Sequence, residues 1–146
     1  FRHVLAPVDK GAAQRLLEET RALHRATTES RDATFAAAKK LRATVADLLP
    51  KVSAYNYDAA SLDVILASFV ADGERGEFRD FSSAEQVAMA SQSVVVAFEN
   101  AGKLDKDKAT RLHAKLDALY DTVKDENNYA MTRFDGALKD LRAAAP

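Results

Sequence analysis

Apolar side chains recur along this chain in steps of three and four, with polar ones filling the gaps. Between residues 10 and 49 the series Leu16, Thr20, Leu23, Thr27, Ser30, Thr34, Ala37, Leu41, Val45, Leu48 keeps that step throughout. This is the spacing of one buried face of an α-helix. Asp9 stands where an N-cap belongs, and Pro50 where a stop belongs, because the residue before a proline is driven out of the helical region. The pattern predicts one continuous helix over 10–49, about 60 Å long at 1.5 Å per residue. The run Thr27-Thr28-Glu29-Ser30-Arg31-Asp32 marks where such a helix would kink or break, since hydroxyl side chains compete for backbone hydrogen bonds.

Four shorter helices follow in the pattern. The second, capped by Asp58 and running to about Asp72, carries the densest apolar cluster: Leu62, Ile65, Leu66, Phe69 and Val70. Gly73 and Gly76 open a charged loop. Ser82 with Glu85 three residues later reads as a capping box for the third helix, whose apolar face is Val87, Ser91, Val94, Val95, Phe98 and Ala101. Gly102 ends it, at a position that favours positive φ. Asp105 caps the fourth helix, with Leu112, Leu116, Leu119 and Val123 as its seam. Asn127 or Asn128 is expected to cap the fifth, whose stripe is Met131, Phe134, Leu138 and Leu141. Short connections make the last three antiparallel neighbours. The expected fold is therefore all-α: one domain over 1–146, an antiparallel four- to five-helix bundle with a long N-terminal helix as its spine.

Composition supports helices. Alanine, the residue with the highest helix propensity, dominates an apolar content of 47%, and only 5 Gly and 3 Pro interrupt 146 residues. The net charge of −1 lacks the basic excess of a nucleic-acid binder, so no nucleic acid is expected as a partner. That balance hides an asymmetry: residues 1–51 hold 10 Lys/Arg against 6 Asp/Glu, and residues 52–146 hold 11 against 16. This suits either a basic first third packed against an acidic remainder or a basic face for an acidic partner. The tightest apolar stretch, Val94-Val95-Val96-Ala97-Phe98, is far shorter than the roughly 20 residues of a transmembrane helix. Absent cysteine excludes disulfides, thiolate metal sites and cysteine nucleophiles. The opening on Phe1 leads to the expectation of an exported bacterial protein, periplasmic or secreted.

Three features carry candidate chemistry. The hydroxyl positions of the first seam, Thr20, Thr27, Ser30 and Thr34, would line a polar pocket if they face the interior; alternatively they allow close helix approach or meet solvent. Beside them runs a basic row, Arg21, His24, Arg25, Arg31, Lys39 and Arg42, interrupted by Thr28 and Phe35. Its charges add on one face and suit an acidic partner, a phosphate group or, less well because no bulky apolar residues flank the row, an anionic membrane surface. Alternatively the row is simply solvated or meets acidic side chains of the later helices. On the fourth helix His113, Asp117 and Asp121 have the i, i+4, i+8 spacing of metal ligands, with Glu99 or Asn100 as a further donor.

Other motifs fall away. The segment Asp105-Lys106-Asp107 lacks the glycine and the twelfth-position glutamate of a calcium loop. Met89 and Met131 read as core filler, and no cofactor is expected. Tyr55, Tyr57, Tyr120 and Tyr129 sit near loops and helix ends, where half-buried aromatics belong. No Gly-rich phosphate loop, nucleophile elbow or His–Glu metal motif is present, so catalysis is not expected. The expected function is a non-catalytic binding or sensor-type module engaging an unidentified protein partner or small ligand. The alternative is a carrier of a small ligand, haem or a transition metal, using the bundle interior or the His113 row.

Overall fold

The computed structural model describes residues 1–146 and is all-α. Seven helices follow one another: α1 (Arg2–Leu5), α2 (Lys10–Ala26), α3 (Arg31–Ala54), α4 (Ala59–Glu74), α5 (Phe81–Asn100), α6 (Lys106–Asp121) and α7 (Met131–Ala143). They form two compact units, Phe1–Asn56 and Tyr57–Pro146. No helix is long and apolar enough to cross a membrane.

In the first unit the single helix expected over 10–49 does not form. The chain leaves the helix after Ala26 and re-enters at Arg31, so α2 and α3 make a hairpin. The break falls within the hydroxyl cluster and is built by it. Thr27 Oγ1 donates to the His24 carbonyl at 2.6 Å and Thr28 Oγ1 to the Arg25 carbonyl at 2.7 Å. Ser30 then caps α3, its Oγ accepting the Ala33 N–H at 3.0 Å. Thr34 Oγ1 ties the two arms together, donating to the Ala26 carbonyl at 3.0 Å and to the Ser30 carbonyl at 2.9 Å. Asp9 caps α2 as expected, accepting the Ala12 N–H at 2.9 Å.

Pro50 does not stop α3, which continues to Ala54. Proline removes the N–H that the Ala46 carbonyl would receive, but both residues are exposed, so water can satisfy that carbonyl. On the opposite face Leu48 and Val52 join Leu5, Ala12, Ala13 and Leu16 in the hairpin core, and this packing carries the helix past the proline.

The second unit is a four-helix bundle in which each helix packs on the next and α7 closes back on α4. Most of the expected seam residues form its core: Leu62, Ile65, Leu66, Phe69 and Val70 from α4; Ser91, Val95 and Phe98 from α5; Leu112, Leu116 and Leu119 from α6, with Val123 just beyond; Phe134, Leu138 and Leu141 from α7. Val87 and Val94, by contrast, are half-buried, and Ala101 lies exposed past the end of α5. Asp58 and Asp105 cap α4 and α6 as expected. Gly102 takes φ 69° after α5, and the Lys103 N–H reaches back to the Phe98 carbonyl at 3.0 Å. Two caps differ. Asp80, not Ser82, caps α5 by accepting the Ser83 N–H at 2.8 Å and the Ser83 hydroxyl at 2.7 Å. Asn127 and Asn128 lie in a single 3₁₀ turn capped by Asp125, and α7 begins at Met131 without a side-chain cap. Met89, expected in the core, is 57% exposed on α5.

Two glycines inside helices separate packing from propensity. A Cβ on Gly73 of α4 would lie 2.6 Å from Asp135 Oδ1 and 3.3 Å from the Phe78 ring, whereas one on Gly136 of α7 would meet nothing within 4 Å. Helix propensity favours alanine over glycine at both. Gly136→Ala is therefore expected to stabilise the protein by about 1 kcal/mol, and Gly73→Ala to fall short of that gain by about 1–3 kcal/mol, because the Asp135 carboxylate and the Phe78 ring must give way. Urea denaturation followed by circular dichroism checks both; equal effects would show that α4 and α7 do not approach this closely.

Candidate functional site

The hairpin places the basic row on two helices instead of one. Arg21, His24 and Arg25 lie on α2, Arg31, Lys39 and Arg42 on α3, and all six are exposed. On α3 the row acquires apolar neighbours. Arg31, Phe35, Lys39, Arg42, Ala46 and Leu49 are separated by four, four, three, four and three residues, so they share one face. Every one is exposed, Phe35 at 73% and Leu49 at 51%. The adjoining face, little more than a quarter-turn round the helix, carries Leu41, Val45, Leu48 and Val52 and packs on the hairpin core. Leu48 is the one buried residue among the 24 of α3. The signal for this outer stripe was present in its own four-three spacing; the stronger inner seam masked it.

Between the arms of the hairpin runs an open groove of about 570 Å³, walled by Arg15, Glu18, Glu19, Ala22 and Arg25 on α2 and by Lys40, Thr44 and Asp47 on α3. Glu19 is 8% exposed. Its Oε1 accepts the Thr44 hydroxyl at 3.2 Å, while Oε2 is sealed away without a partner. An unpaired buried carboxylate oxygen costs free energy, so this contact pins the arms at a definite register and does not strengthen them much.

The expected polar interior is corrected. Thr20, Thr27 and Ser30 are exposed and Thr34 is half-buried. Thr20 Oγ1 bonds back to the Leu16 carbonyl at 2.7 Å, and the other three hydroxyls build the turn described above. Local backbone carbonyls were the nearest acceptors for these short side chains, and bonding them bent the chain instead of lining a pocket.

The His113 row is corrected as well. His113 Nε2 meets Glu99 Oε2 at 2.7 Å, the further donor expected, and Asp117 lines the same shallow groove. Asp121 instead pairs with Lys124 at 2.9 Å. No three His, Asp or Glu side chains converge to hold a metal ion. Residues i and i+8 on a helix lie about 12 Å apart along its axis, too far for one ion without a bridging strand or loop.

A cluster unseen in the sequence joins α4, the α4–α5 loop and α7. Phe78 and Phe134 pack edge to face with centroids 5.3 Å apart, while Tyr129 tilts against Phe134 at 6.3 Å and meets Phe81 edge to face at 5.8 Å. The Tyr129 hydroxyl donates to the Phe78 carbonyl, and Asp72 pairs with Arg75 beside it. Burial pushes the Asp135 carboxyl above the usual range, opposed by Lys139 and assisted by Glu74. Burial, with Asp135 and Asp80 adding their negative charge, pushes the Tyr129 phenol up to about 12. All four tyrosines are half-buried, as expected.

Comparison with protein-family models, with curated proteins and with solved structures returns no match.

The folded state holds the Tyr129 proton more tightly than the unfolded chain does. Its contribution to stability is complete below pH 10, the ordinary tyrosine value, and is lost as pH rises from 10 towards 12. Denaturation midpoints measured across that interval are expected to fall more steeply for wild type than for Tyr129→Phe, which forfeits about 1 kcal/mol at neutral pH with the hydrogen bond. Identical pH dependence in the two proteins would contradict this assignment.

Proposed function

We propose that this chain is a non-catalytic binding module and that its N-terminal hairpin supplies the contact surface. The observation that carries the proposal is the outer face of α3. A surface helix ordinarily turns its large apolar side chains inward and leaves polar ones outside. Here Phe35 and Leu49 stand in solvent, in line with Arg31, Lys39 and Arg42, although the same helix already has a packed inner face. A helix furnished on two adjoining faces is suited to holding the hairpin together with one and meeting a partner with the other. Aromatic residues and arginine are the types enriched in protein contact surfaces. The cationic character of residues 1–51 favours an acidic partner and would speed its approach.

A photoreactive amino acid placed at position 35 in the cells that make the protein tests this. It is expected to yield a discrete protein adduct, whereas the same group at exposed Ala118 on α6 yields none. Absence of an adduct at position 35 would overturn the proposal.

A further inference from the structure

Building on the binding role proposed above, we infer that the outer face of α3 receives an acidic amphipathic helix belonging to a different protein. The order of side chains along the stripe carries the inference. Phe35 and Leu49 are its two large apolar residues, about 21 Å apart at the helical rise of 1.5 Å per residue. Lys39 and Arg42 lie between them, and Ala46 is small enough to let a second backbone come close. Ala36 and Ala43, exposed on the flank, keep the approach flat; Asp32 stands one residue off the stripe and Asp47 further round. The matching surface has apolar anchors at its ends and carboxylates in its middle, an arrangement one face of a helix supplies through the same four-three spacing.

A second copy of this chain fits poorly. Residue 42 lies at the midpoint between 35 and 49, so antiparallel self-pairing sets Arg42 against Arg42 at the two-fold axis. Parallel pairing sets Lys39 and Arg42 each against its own counterpart. Like charges brought together destabilise a contact. An anionic bilayer also fits poorly. Interfacial helices separate an apolar face from a basic one, whereas here Lys39 and Arg42 interrupt the apolar line itself, and only two bulky residues are available to enter the lipid.

The probe is a synthetic helical peptide with leucines at both ends of one face and glutamates between them, its binding read by fluorescence anisotropy. The wild-type chain is expected to bind it, more weakly as salt increases. Phe35→Ala and Leu49→Ala are each expected to weaken binding about tenfold. The double variant Lys39→Glu/Arg42→Glu is expected to lose the glutamate peptide and gain a lysine-substituted version. All these positions are exposed, so thermal unfolding should be unchanged and binding losses can be read directly. Failure of the wild type to bind the glutamate peptide would overturn the inference, as would equal binding by the charge-reversed variant. Self-association in sedimentation, or adsorption to anionic phospholipid vesicles with no peptide binding, would overturn it in favour of those occupants. If the crosslinker at position 35 still captures a discrete protein, the acidic-helix inference alone falls; if it captures none, the binding role falls with it.

Discussion

Hydroxyl side chains between Ala26 and Thr34 govern the shape of the N-terminal unit. A helix propagates because each new N–H finds a carbonyl one turn back. Thr27 and Thr28 turn their hydroxyls onto carbonyls of the closing turn, Ser30 offers a side-chain oxygen to start the next helix, and Thr34 bonds across the gap to Ala26. Each interaction is modest. Together they make a reversal cheaper than continuation, and the reversal lets Leu16 and Ala12 bury against Leu48. An unbroken rod would have left that seam without a partner in its own unit.

The exposed face of α3 follows from this folding back. A hairpin of two helices covers one face of each, and the short α1 adds Leu5 to their core. Phe35 and Leu49 therefore stay in water. The interior of the hairpin holds alanine and medium-sized aliphatic residues, with buried Glu19 bonded to Thr44. Its stability rests on close approach, not on bulk.

The second unit solves the packing problem differently. Four helices surround a leucine- and phenylalanine-rich interior, and Gly73 removes a side chain so that Asp135 and Phe78 can settle against α4. The polar groups drawn in with them respond as burial requires: the Asp135 carboxyl and the Tyr129 phenol both hold their protons more firmly than in water. Asp58 and Asp80, bonded at exposed caps to Ser61 and Ser83, shift the other way because those hydrogen bonds favour the charged form.

Much of this was legible in the residues. The seams of α4, α6 and α7, the caps at Asp9, Asp58 and Asp105, and the helix end at Gly102 depend on interactions within a few residues, so spacing and residue type specify them. The cluster at 27–32 announced a weak point by the same local logic. Whether the chain would turn there depended on a comparison no local pattern contains: the burial gained by folding α3 onto α2 against the hydrogen bonds lost by stopping. The same holds for Pro50, whose helix-breaking tendency yielded to packing on the opposite face, and for Asp121, which distance along the axis separates from His113. The sequence by itself determined which stretches wind into helices and which face of each avoids water. Only the tertiary structure decided which faces found a partner, because burial is a property of two surfaces meeting and a single stripe cannot say what lies across from it.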